Sequence, residues 1–501
     1  MAIQYNILQK GFKNIPGSGG PSGFQLLVKT AYYRGVPLSL IEGVEVTVDG
    51  ESFDRSTIRF RINERTYLLD QLESVSDVHW PWLEPATVIV NKPGGLKAGV
   101  HDVAVAVKLR ISYMPFNPVS YSFRAKLVLM PGAADPAPAK EPKLAASLYS
   151  YNGDLQAGTM SLEDCLADLS DMGAAGVEFL PEAIVPNYPN PPKPWVKQWF
   201  GWLDKYGLVP IALDGGADTK LYKRRTLSAQ EIADLIIVDL KLANTLGCKA
   251  YRGLGSSWPA ALGVAGNISA RTVWSTGITP FEIYDKLLPY AEKYDVRIGE
   301  ELHVPFLIKS DWLEETVEYI QKRGTTHLGF VPDMSIFVRQ PPKGLDPESF
   351  VERGVPREVV NYVTQSREER VDEEVAKKRV LEMGGGAAGL HLTALVYHLS
   401  YASTERNEPE QLKWLIPYTV HIHAKCYEFP DDLSDEHSIP YSEIVPVLAR
   451  GGYTGYLSSE YEGDRRPFAA SDQVRRQQLM IRNLWASTFE SAKVAELEVK
   501  T

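Results

Sequence analysis

The first 130 residues alternate between apolar and polar side chains with a period of two. Residues 44–48, 58–62 and 121–126 each place apolar side chains on one face and mostly charged or hydroxyl side chains on the other, and residues 103–107 alternate valine with alanine. An Asp49-Gly50 turn follows the first of these segments. This period is typical of half-buried strands. Several such strands without helical periodicity predict an all-β, sandwich-like domain over residues 1–130.

The alternation stops over residues 131–143, PGAADPAPAKEPK. This segment is rich in Pro and Ala and has almost no side chains to bury. Such a composition predicts an extended, semi-stiff linker. We therefore place the domain boundary here.

Short apolar segments alternate with segments of helical periodicity over residues 144–501. The first four begin near residues 144, 176, 209 and 249, and the next four end near His303, Asp333, Lys425 and Glu460. Between them lie helix signals such as the capping box Ser228-Ala-Gln-Glu231. Eight repeats of strand then helix predict a parallel (β/α)8 TIM barrel, whose active site lies at the C-terminal ends of the strands.

The connection between the sixth and seventh predicted strands is unusually long, at about residues 335–417. It contains a charged segment over residues 367–383, which predicts a helix, and a Gly384–Gly386 break. We interpret this connection as an insertion that either covers the barrel mouth or forms an interface.

Length, charge and cysteine content narrow the class of protein. The chain has 501 residues, whereas a single core usually stops growing at roughly 250–300 residues, so two domains are expected. The net charge of −10 and pI near 5.6 argue against a nucleic-acid partner. Three distant cysteines, no apolar run of about 20 residues and no signal-like start predict a cytoplasmic protein that does not enter a membrane.

Acidic and imidazole side chains gather at the predicted strand ends. Glu301 and His303 are two residues apart, so on a strand they point the same way. Asp333, His423 and Glu460 end the next three strands. Because these ends meet at one face of a barrel, we predict that Glu301, Asp333, His423 and Glu460 hold one divalent ion. Three carboxylates and one imidazole suit Mn²⁺, Mg²⁺ or Co²⁺ better than a structural zinc.

Each residue also has a simpler interpretation. A single glutamate at a strand end is usually a solvated or salt-bridged group, and only the coincidence of four strand ends favours a metal site. Glu300 alternates with Glu301 and is expected to point outward toward the helices. His421 competes with His423 as a ligand, but it lies one step further from the strand end and is expected one layer deeper.

The barrel motifs resemble those of the sugar phosphate isomerase/epimerase superfamily, the xylose-isomerase-like barrels. The matching residues are Glu301-Leu302-His303, Asp333, His423-Ala424-Lys425 and Glu460. The resemblance implies that Glu301, Asp333, His423 and Glu460 are the metal ligands. One position departs from it: the family often has a histidine three residues after the aspartate, and this chain has Ile336.

The N-terminal region resembles the small β subunit of bacterial C-glycoside deglycosidases. The segments that support this are Val46-Thr-Val-Asp-Gly-Glu51 and Met114-Pro-Phe-Asn117, together with the pattern of strands. In that family a barrel α subunit pairs with this β subunit, usually on separate chains. Here the two would be fused through the linker, in the order β then α.

The resemblance implies metal-dependent cleavage of a 3-oxo-glycoside, C- or O-linked. A base removes the C2 proton, and β-elimination releases the aglycone and an unsaturated 3-oxo sugar. We expect Mn²⁺ as the cofactor, with Mg²⁺ or Co²⁺ as alternatives. His303 is the candidate base, although it could instead orient Glu301, and Lys425 either polarises the sugar oxygen or pairs with a ligand carboxylate. The candidate contacts to sugar hydroxyls are Glu178, Glu182 and Arg252.

Other functions are compatible with the same pattern. A sugar isomerase or ketose epimerase would use the same enolate chemistry. A DNA-repair barrel like an AP endonuclease would need more metal-binding side chains and a basic surface. The β domain could also be a carbohydrate-binding module that stacks sugars on Trp80, Trp82 and Tyr113, although core packing explains these aromatic residues equally well. As partners we expect a small glycoside, a second copy of the chain in a homo-oligomer, and a sugar 3-oxidoreductase acting upstream.

Overall fold

The computed structural model describes most of the chain. The described residues are 6–30, 32–111, 113–132, 142–217, 221–225, 227–253, 278–304, 306–340, 342, 347–369, 371–398, 406–463 and 466–498. The chain divides into two compact units: Met1–Ala137 with Asp431–Leu433, and Pro138–Pro430 with Ser434–Thr501. Residues 133–141, most of the predicted linker, lie outside the described residues. The boundaries at 130 and 144 therefore stay predictions.

The first unit is built from antiparallel strands. Its strands are β1 Ile7–Ile15, β2 Gly23–Val28, β3 Val36–Pro37, β4 Ile41–Val48, β5 Glu51–Ser52, β6 Ile58–Ile62, β7 Arg65–Leu68, β8 His79–Trp80, β9 Ala86–Asn91, β10 Gly99–Leu109 and β11 Val119–Leu129. One sheet has the order β1-β2-β9-β6-β7 and another β11-β10-β4-β5, with β3 and β8 paired separately. The prediction of an all-β unit is confirmed.

The two larger sheets of this unit share one apolar core. Alternate residues of β10 are buried, as the period of two requires. Phe24, Phe60 and Trp80 are fully buried within that core. Of the two interpretations of Trp80, core packing is therefore the one that holds: its ring packs against Phe60, and its indole N–H donates to the Glu84 carbonyl at 3.0 Å.

The second unit contains eight parallel strands. They are β12 Lys143–Ser147, β13 Gly176–Phe179, β14 Val209–Gly215, β15 Ala250–Gly253, β16 Arg297–Leu302, β17 Leu328–Pro332, β18 Ile422–Cys426 and β19 Tyr456–Tyr461. The sheet runs in the order β17-β16-β15-β14-β13-β12-β19-β18. Parallel bridges Phe330↔Thr419 and Asp333↔His423 join its two edges. The predicted (β/α)8 barrel is confirmed.

Helices alternate with these strands. They are α1 Asn152–Ala157, α2 Leu162–Asp171, α3 Pro181–Ile184, α4 Lys193–Tyr206, α5 Ala229–Leu246, α6 Pro280–Tyr294, α7 Asp311–Arg323, α8 Pro347–Glu352, α9 Arg357–Glu368, α10 Glu373–Glu382, α11 Gly386–His398, α12 Leu412–Leu415, α13 Tyr441–Arg450 and α14 Ala469–Glu498. The Ser228 capping box begins α5, which ends at Gly247 in the left-handed conformation. Within the described part of the chain, no helix is both long and apolar enough to cross a membrane.

Five of the helices given above, α8 to α12, lie between β17 and β18, and the first four of them form one group. They bury a small core of their own that includes Phe350, Val359 and Leu392. The prediction of a single charged helix over residues 367–383 is wrong, because α9 ends at Glu368 and α10 begins at Glu373. Asp372 explains the break: its carboxylate accepts the backbone N–H groups of Glu374 and Val375, and so caps a new helix.

Candidate metal centre

Four buried side chains that lie in or directly follow the strands β16 to β19 converge on one point. Glu301 lies near the end of β16, Asp333 directly follows β17, and His423 and Glu460 lie in β18 and β19. The Nδ1 atom of His423 is 3.0 Å from Glu301 Oε1, 3.2 Å from Glu460 Oε2 and 3.9 Å from Asp333 Oδ2. One donor atom from each residue lies within 4.8 Å of the others. These are the four residues predicted as metal ligands.

The closure of the barrel brings Asp333 and His423 together. They face each other as bridge partners across the seam between β17 and β18, although they are 90 positions apart in the sequence. Glu301 and Glu460 come from the strands on either side, β16 and β19. Because all four strands are parallel, their C-terminal ends lie at one face.

The residues fit a divalent cation. Asp333 Oδ2 and Glu460 Oε2 are buried and accept no hydrogen bond of acceptable geometry. The ammonium of Lys425 lies 3.3 Å from the first of these oxygens and 2.8 Å from the second. Three carboxylates with one imidazole are a hard, oxygen-rich donor set. Buried acidic and imidazole groups that converge in this way could hold a metal ion.

Electrostatics keeps two of these carboxylates ionised. Burial by itself raises the pKa of Glu301, but Arg252 and His423 outweigh it and bring this pKa to about 2. Burial likewise opposes ionisation of Glu460, and attraction to Lys425 and His423 holds its pKa well below the ordinary value. At Asp333 burial prevails over Lys425, so the pKa is raised. The site therefore presents at least two fixed negative charges.

His303 directly follows β16 and is half-buried. Its Nδ1 atom is 2.9 Å from the backbone carbonyl of Val304. A carbonyl oxygen only accepts, so Nδ1 must carry the hydrogen. The neutral ring then has its lone pair on Nε2, which is the form a general base requires.

Lys425 is buried among three carboxylates. Besides Asp333 and Glu460, its Nζ atom lies 3.0 Å from Glu462 Oε1. Burial lowers the pKa of Lys425, but the surrounding carboxylates raise it well above its ordinary value, so this side chain is a fixed cation. The sequence analysis missed Glu462, even though it follows Glu460 by two residues, the spacing of one strand face.

The three predicted substrate contacts occupy different places. Glu178 is fully buried, and its Oε1 atom lies 2.7 Å from His421 Nε2 and 2.9 Å from His423 Nε2. Arg252 lies with its Nη1 atom 3.6 Å from Glu301 Oε2. Glu182 lies exposed on α3, outside the two buried groups of side chains that could hold a metal ion.

Asp214 is a further buried carboxyl that the sequence analysis missed. It lies in β14, with Oδ1 3.3 Å from Arg252 Nε. Burial raises its pKa well above the ordinary value. The residues two positions away, Ala212 and Gly216, have no polar side chain, so the spacing that marked Glu301 and His303 does not occur at Asp214.

Comparison with known proteins identifies the family. The family model described as C-glycoside deglycosidase beta subunit matches residues 3–113. A C-glycoside deglycosidase beta subunit from Eubacterium cellulosolvens is 40% identical over 106 residues, which cover 21% of this chain and 72% of the relative. The chain belongs to the C-glycoside deglycosidase family.

The C-glycoside deglycosidase similarity extends to the α subunits. A 3'-dehydrocarminate deglycosidase alpha subunit from a Microbacterium species is 28% identical over 334 residues, or 64% of this chain and 88% of the relative. A C-glycoside deglycosidase alpha subunit from Arthrobacter globiformis is 28% identical over 331 residues, or 64% of this chain and 85% of the relative. These alignments are longer than the first unit, so most of their length falls in the second.

Solved structures include distant neighbours of this deglycosidase-family chain. A D-allulose 3-epimerase from a Methylomonas species is 12% identical with a TM-score of 0.41, covering 70% of this chain and all of that one. The IOLI protein, crystallised with a bound zinc atom, is 13% identical with a TM-score of 0.39, covering 69% of this chain and 99% of that one.

Proposed function

We propose that this chain cleaves 3-oxo-glycosides, C- or O-linked, in a metal-dependent elimination. The names of its relatives support deglycosylation as the reaction, and one of them acts on a 3'-dehydro compound. The observation that carries the proposal is the position of His303, which directly follows β16 and lies two residues after the predicted ligand Glu301. A base beside a charge-stabilising centre is the pair that proton abstraction next to a ketone requires.

The reaction proceeds through loss of the C2 proton. A ketone at C3 makes the C2–H bond acidic, and the electron pair of that bond moves toward the carbonyl. Elimination then breaks the bond from C1 to the aglycone, which leaves with that bond's electron pair and takes up a proton. The products are the free aglycone and an unsaturated 3-oxo sugar. A phenolic aglycone can accept the charge even when the broken bond is C–C.

Glu301, Asp333, His423 and Glu460 are the residues that would hold the metal. A divalent ion bound there would supply Lewis-acid stabilisation of the negative charge that develops at the C3 carbonyl. The hard donor set favours Mn²⁺, with Mg²⁺ or Co²⁺ as alternatives.

His303 is the residue that receives the C2 proton at Nε2. The bond from Nδ1–H to the Val304 carbonyl fixes the neutral tautomer and restrains the ring. Such a positioned base contributes about 10²–10⁴-fold to a proton transfer.

Lys425 positions the carboxylates of two predicted metal ligands, Asp333 and Glu460, and also pairs with Glu462. Its three contacts of 2.8–3.3 Å support pairing with Asp333, Glu460 and Glu462 over the alternative in which it polarises the sugar oxygen. The ammonium limits the repulsion between these carboxylates. Arg252 has a similar contact with Glu301 at 3.6 Å and remains, with Glu182, a proposed contact to sugar hydroxyls.

The proposed substrate implies partners. A 3-oxo-glycoside must be supplied by an enzyme that oxidises the C3 hydroxyl of a glycoside, so we place a sugar 3-oxidoreductase upstream. Because relatives of both subunit types match this one chain, we propose that the β-like and α-like parts work as one polypeptide. A homo-oligomer and a cytoplasmic location complete the proposal.

A direct assay tests the reaction. Purified protein with Mn²⁺ is given 3-oxo-glucosides of phenols, including forms with deuterium at C2, and separately free ketoses. We expect release of the phenol, loss of deuterium from C2, and a slower rate with the deuterated substrate. Epimerised ketose without phenol release would contradict the proposal and support a sugar epimerase.

A further inference from the structure

A second buried group lies directly behind His423. Glu178 of β13 is 0% exposed, His423 is 0% and His421 is 2%. One oxygen, Oε1 of Glu178, lies within hydrogen-bond distance of both rings, at 2.7 Å from His421 Nε2 and 2.9 Å from His423 Nε2. Glu178 therefore contacts Nε2 of His423, whereas Glu301, Asp333 and Glu460 lie beside Nδ1 of the same ring.

The chemistry of these contacts fixes where the hydrogens are. An ionised carboxylate only accepts hydrogen bonds. Two imidazole nitrogens that both point at Glu178 Oε1 must therefore both carry hydrogen. With its Nε2 atom so engaged, His423 presents Nδ1 toward Glu301 and Glu460, at 3.0 and 3.2 Å. By the same rule Nδ1 also carries hydrogen in this arrangement, because it faces ionised carboxylates. A metal ion would take the place of that hydrogen, while the hydrogen on Nε2 stays with Glu178.

We propose that Glu178 is the positioning residue for His423. It holds the ring plane and keeps the hydrogen on Nε2, so that Nδ1 is the atom available to a metal. His421 is the second donor to the same oxygen and holds Glu178 in place. This inference rests on the proposed metal site, but it concerns the apo arrangement of three side chains and not the glycoside reaction.

Glu178 thus has a different role from the sugar contact that the sequence predicts. Its side chain is fully buried, and Oε1 is already shared by two donors. Groups that hydrogen-bond the far nitrogen of a ligating histidine orient the ring, and their loss typically weakens metal binding about 10–100-fold.

The same three residues could instead bind an ion of their own, since each offers a donor atom. The distances of 2.7 and 2.9 Å are those of hydrogen bonds, which need no ion between the partners. The two arrangements predict different stoichiometry: one divalent ion per chain if Glu178 positions His423, and two if it is itself a ligand.

The experiment compares wild type with Glu178→Gln and Glu178→Leu in the full-length protein. Mn²⁺ and Zn²⁺ affinities are measured by competition with a chelator, and the stoichiometry by elemental analysis. Asp239→Asn is the matched control, because Asp239 is equally buried in the same unit but contacts Tyr188. We expect one ion per chain in wild type, affinity about 10–100-fold weaker in Glu178→Leu, a smaller loss in Glu178→Gln, and no change in the control.

A spectroscopic readout separates positioning from simple destabilisation. In the Zn²⁺ form with ¹⁵N-labelled histidine, the His423 signals, assigned with His423→Gln, should show a protonated Nε2 and a metal-bound Nδ1. Glu178→Leu should broaden this pattern or add the opposite tautomer. Glu178→Gln, which keeps an acceptor oxygen, is the variant to read if the leucine variant does not fold.

Two results would overturn the assignment: unchanged affinity and an unchanged His423 tautomer in Glu178→Gln and Glu178→Leu, or two ions per chain in wild type. A different result would contradict the proposed function alone. A wild type that binds one ion, with weakened binding in the Glu178 variants, but cleaves no 3-oxo-glycoside would support the role of Glu178 and contradict the reaction.

Discussion

Two neighbouring glutamates on β16 show how strand geometry separates chemical roles. Glu300 and Glu301 are both buried, but successive side chains of a strand point to opposite faces. Glu301 faces Arg252 and His423, and its pKa is brought to about 2. Glu300 faces the helix layer beside Tyr284, as the sequence predicted, and burial raises its pKa to about 8. Only Glu301 is therefore suited to hold a cation at neutral pH.

Substitutions in the four-residue cluster should remove the metal together with activity. Glu301→Gln takes away a negative charge and His423→Ala a donor atom, so we expect at least about 10–100-fold weaker Mn²⁺ binding and a parallel loss of turnover. His303→Ala should keep the ion but reduce turnover by about 10²–10⁴-fold, since it removes only the base. Elemental analysis measures the metal content of each variant, and the phenol-release assay measures its turnover.

Each variant is measured for both metal content and turnover, so that loss of a metal ligand can be distinguished from loss of the base. A His303→Ala protein that retains turnover would exclude His303 as the base and favour its alternative role in orienting Glu301. Loss of metal from His303→Ala would likewise show that it acts through the ligand.

The sequence predicted the converging residues at this scale, but not their neighbours behind the site. Glu301, Asp333 and Glu460 are recognisable because each lies within one residue of the end of a strand, whereas His423 is the second residue of β18. The orientation of Glu178 toward His421 and His423 depends on side chains 243 and 245 positions away, which no local spacing indicates. For the same reason the contact between Asp214 and Arg252 was not foreseen.

Asp239 provides a prediction for the pH dependence of stability. It is buried in α5 and accepts a hydrogen bond from Tyr188 at 2.6 Å. Burial raises its pKa from 3.8 to about 6, a difference worth at most about 3 kcal/mol. The unfolded chain ionises first, so this residue costs nothing below pH 3.8 and destabilises the fold progressively as the pH rises to about 6.

Asp239→Asn keeps an acceptor for Tyr188 but cannot ionise. The melting temperature of the variant relative to wild type should therefore rise between pH 4.5 and 6 and stay level above that. Asp234→Asn, at an exposed position of the same helix, is the control and should show no such rise. A difference that does not change with pH would mean that Asp239 has the same pKa in the folded and the unfolded chain.

At the scale of elements, the seam that closes the barrel depends on close backbone approach. Gly299 and Gly329 are paired on β16 and β17. A Cβ atom on Gly329 would lie 2.3 Å from the carbonyl oxygen of Tyr418, which is backbone and cannot rotate away. The edges that carry Asp333 and His423 meet beside this contact.

Gly329→Ala should therefore destabilise the second unit by about 1–3 kcal/mol, the usual cost of overpacking. Gly201→Ala is the matched control: it lies within α4, where a Cβ meets nothing within 4 Å, and should be neutral or stabilise by up to about 1 kcal/mol. Urea unfolding of both variants measures the difference. Equal stability would mean that the backbone at residue 418 moves freely.

Periodicity predicted the strands and most helices, because burial of one face repeats every two or 3.6 residues. It failed over residues 367–383, where the charge pattern continues through a helix break that Asp372 causes. A polar residue at a cap and the same residue inside a charged helix look alike in sequence, and only the backbone N–H groups they contact distinguish them.

At the scale of the whole molecule, each unit has its own apolar core. The core of the first unit is formed entirely by residues between Ile7 and Leu129. The four predicted metal ligands all belong to the second unit. The sequence places the boundary at residues 131–143, because a Pro- and Ala-rich segment has little to bury, and this boundary stays a prediction.

Separate cores predict separate folding. Residues 1–132 produced alone should unfold cooperatively in urea. Tryptophan fluorescence measures this transition, because Trp80 is buried in the folded unit whereas its neighbour Trp82 is already exposed. Residues 138–501 should bind one Mn²⁺ with the affinity of the full chain, because every predicted donor is present. If the barrel part binds the ion but releases no phenol, the first unit takes part in catalysis; full activity would make it an accessory module. A first part without a cooperative transition would show that its core is not sufficient by itself.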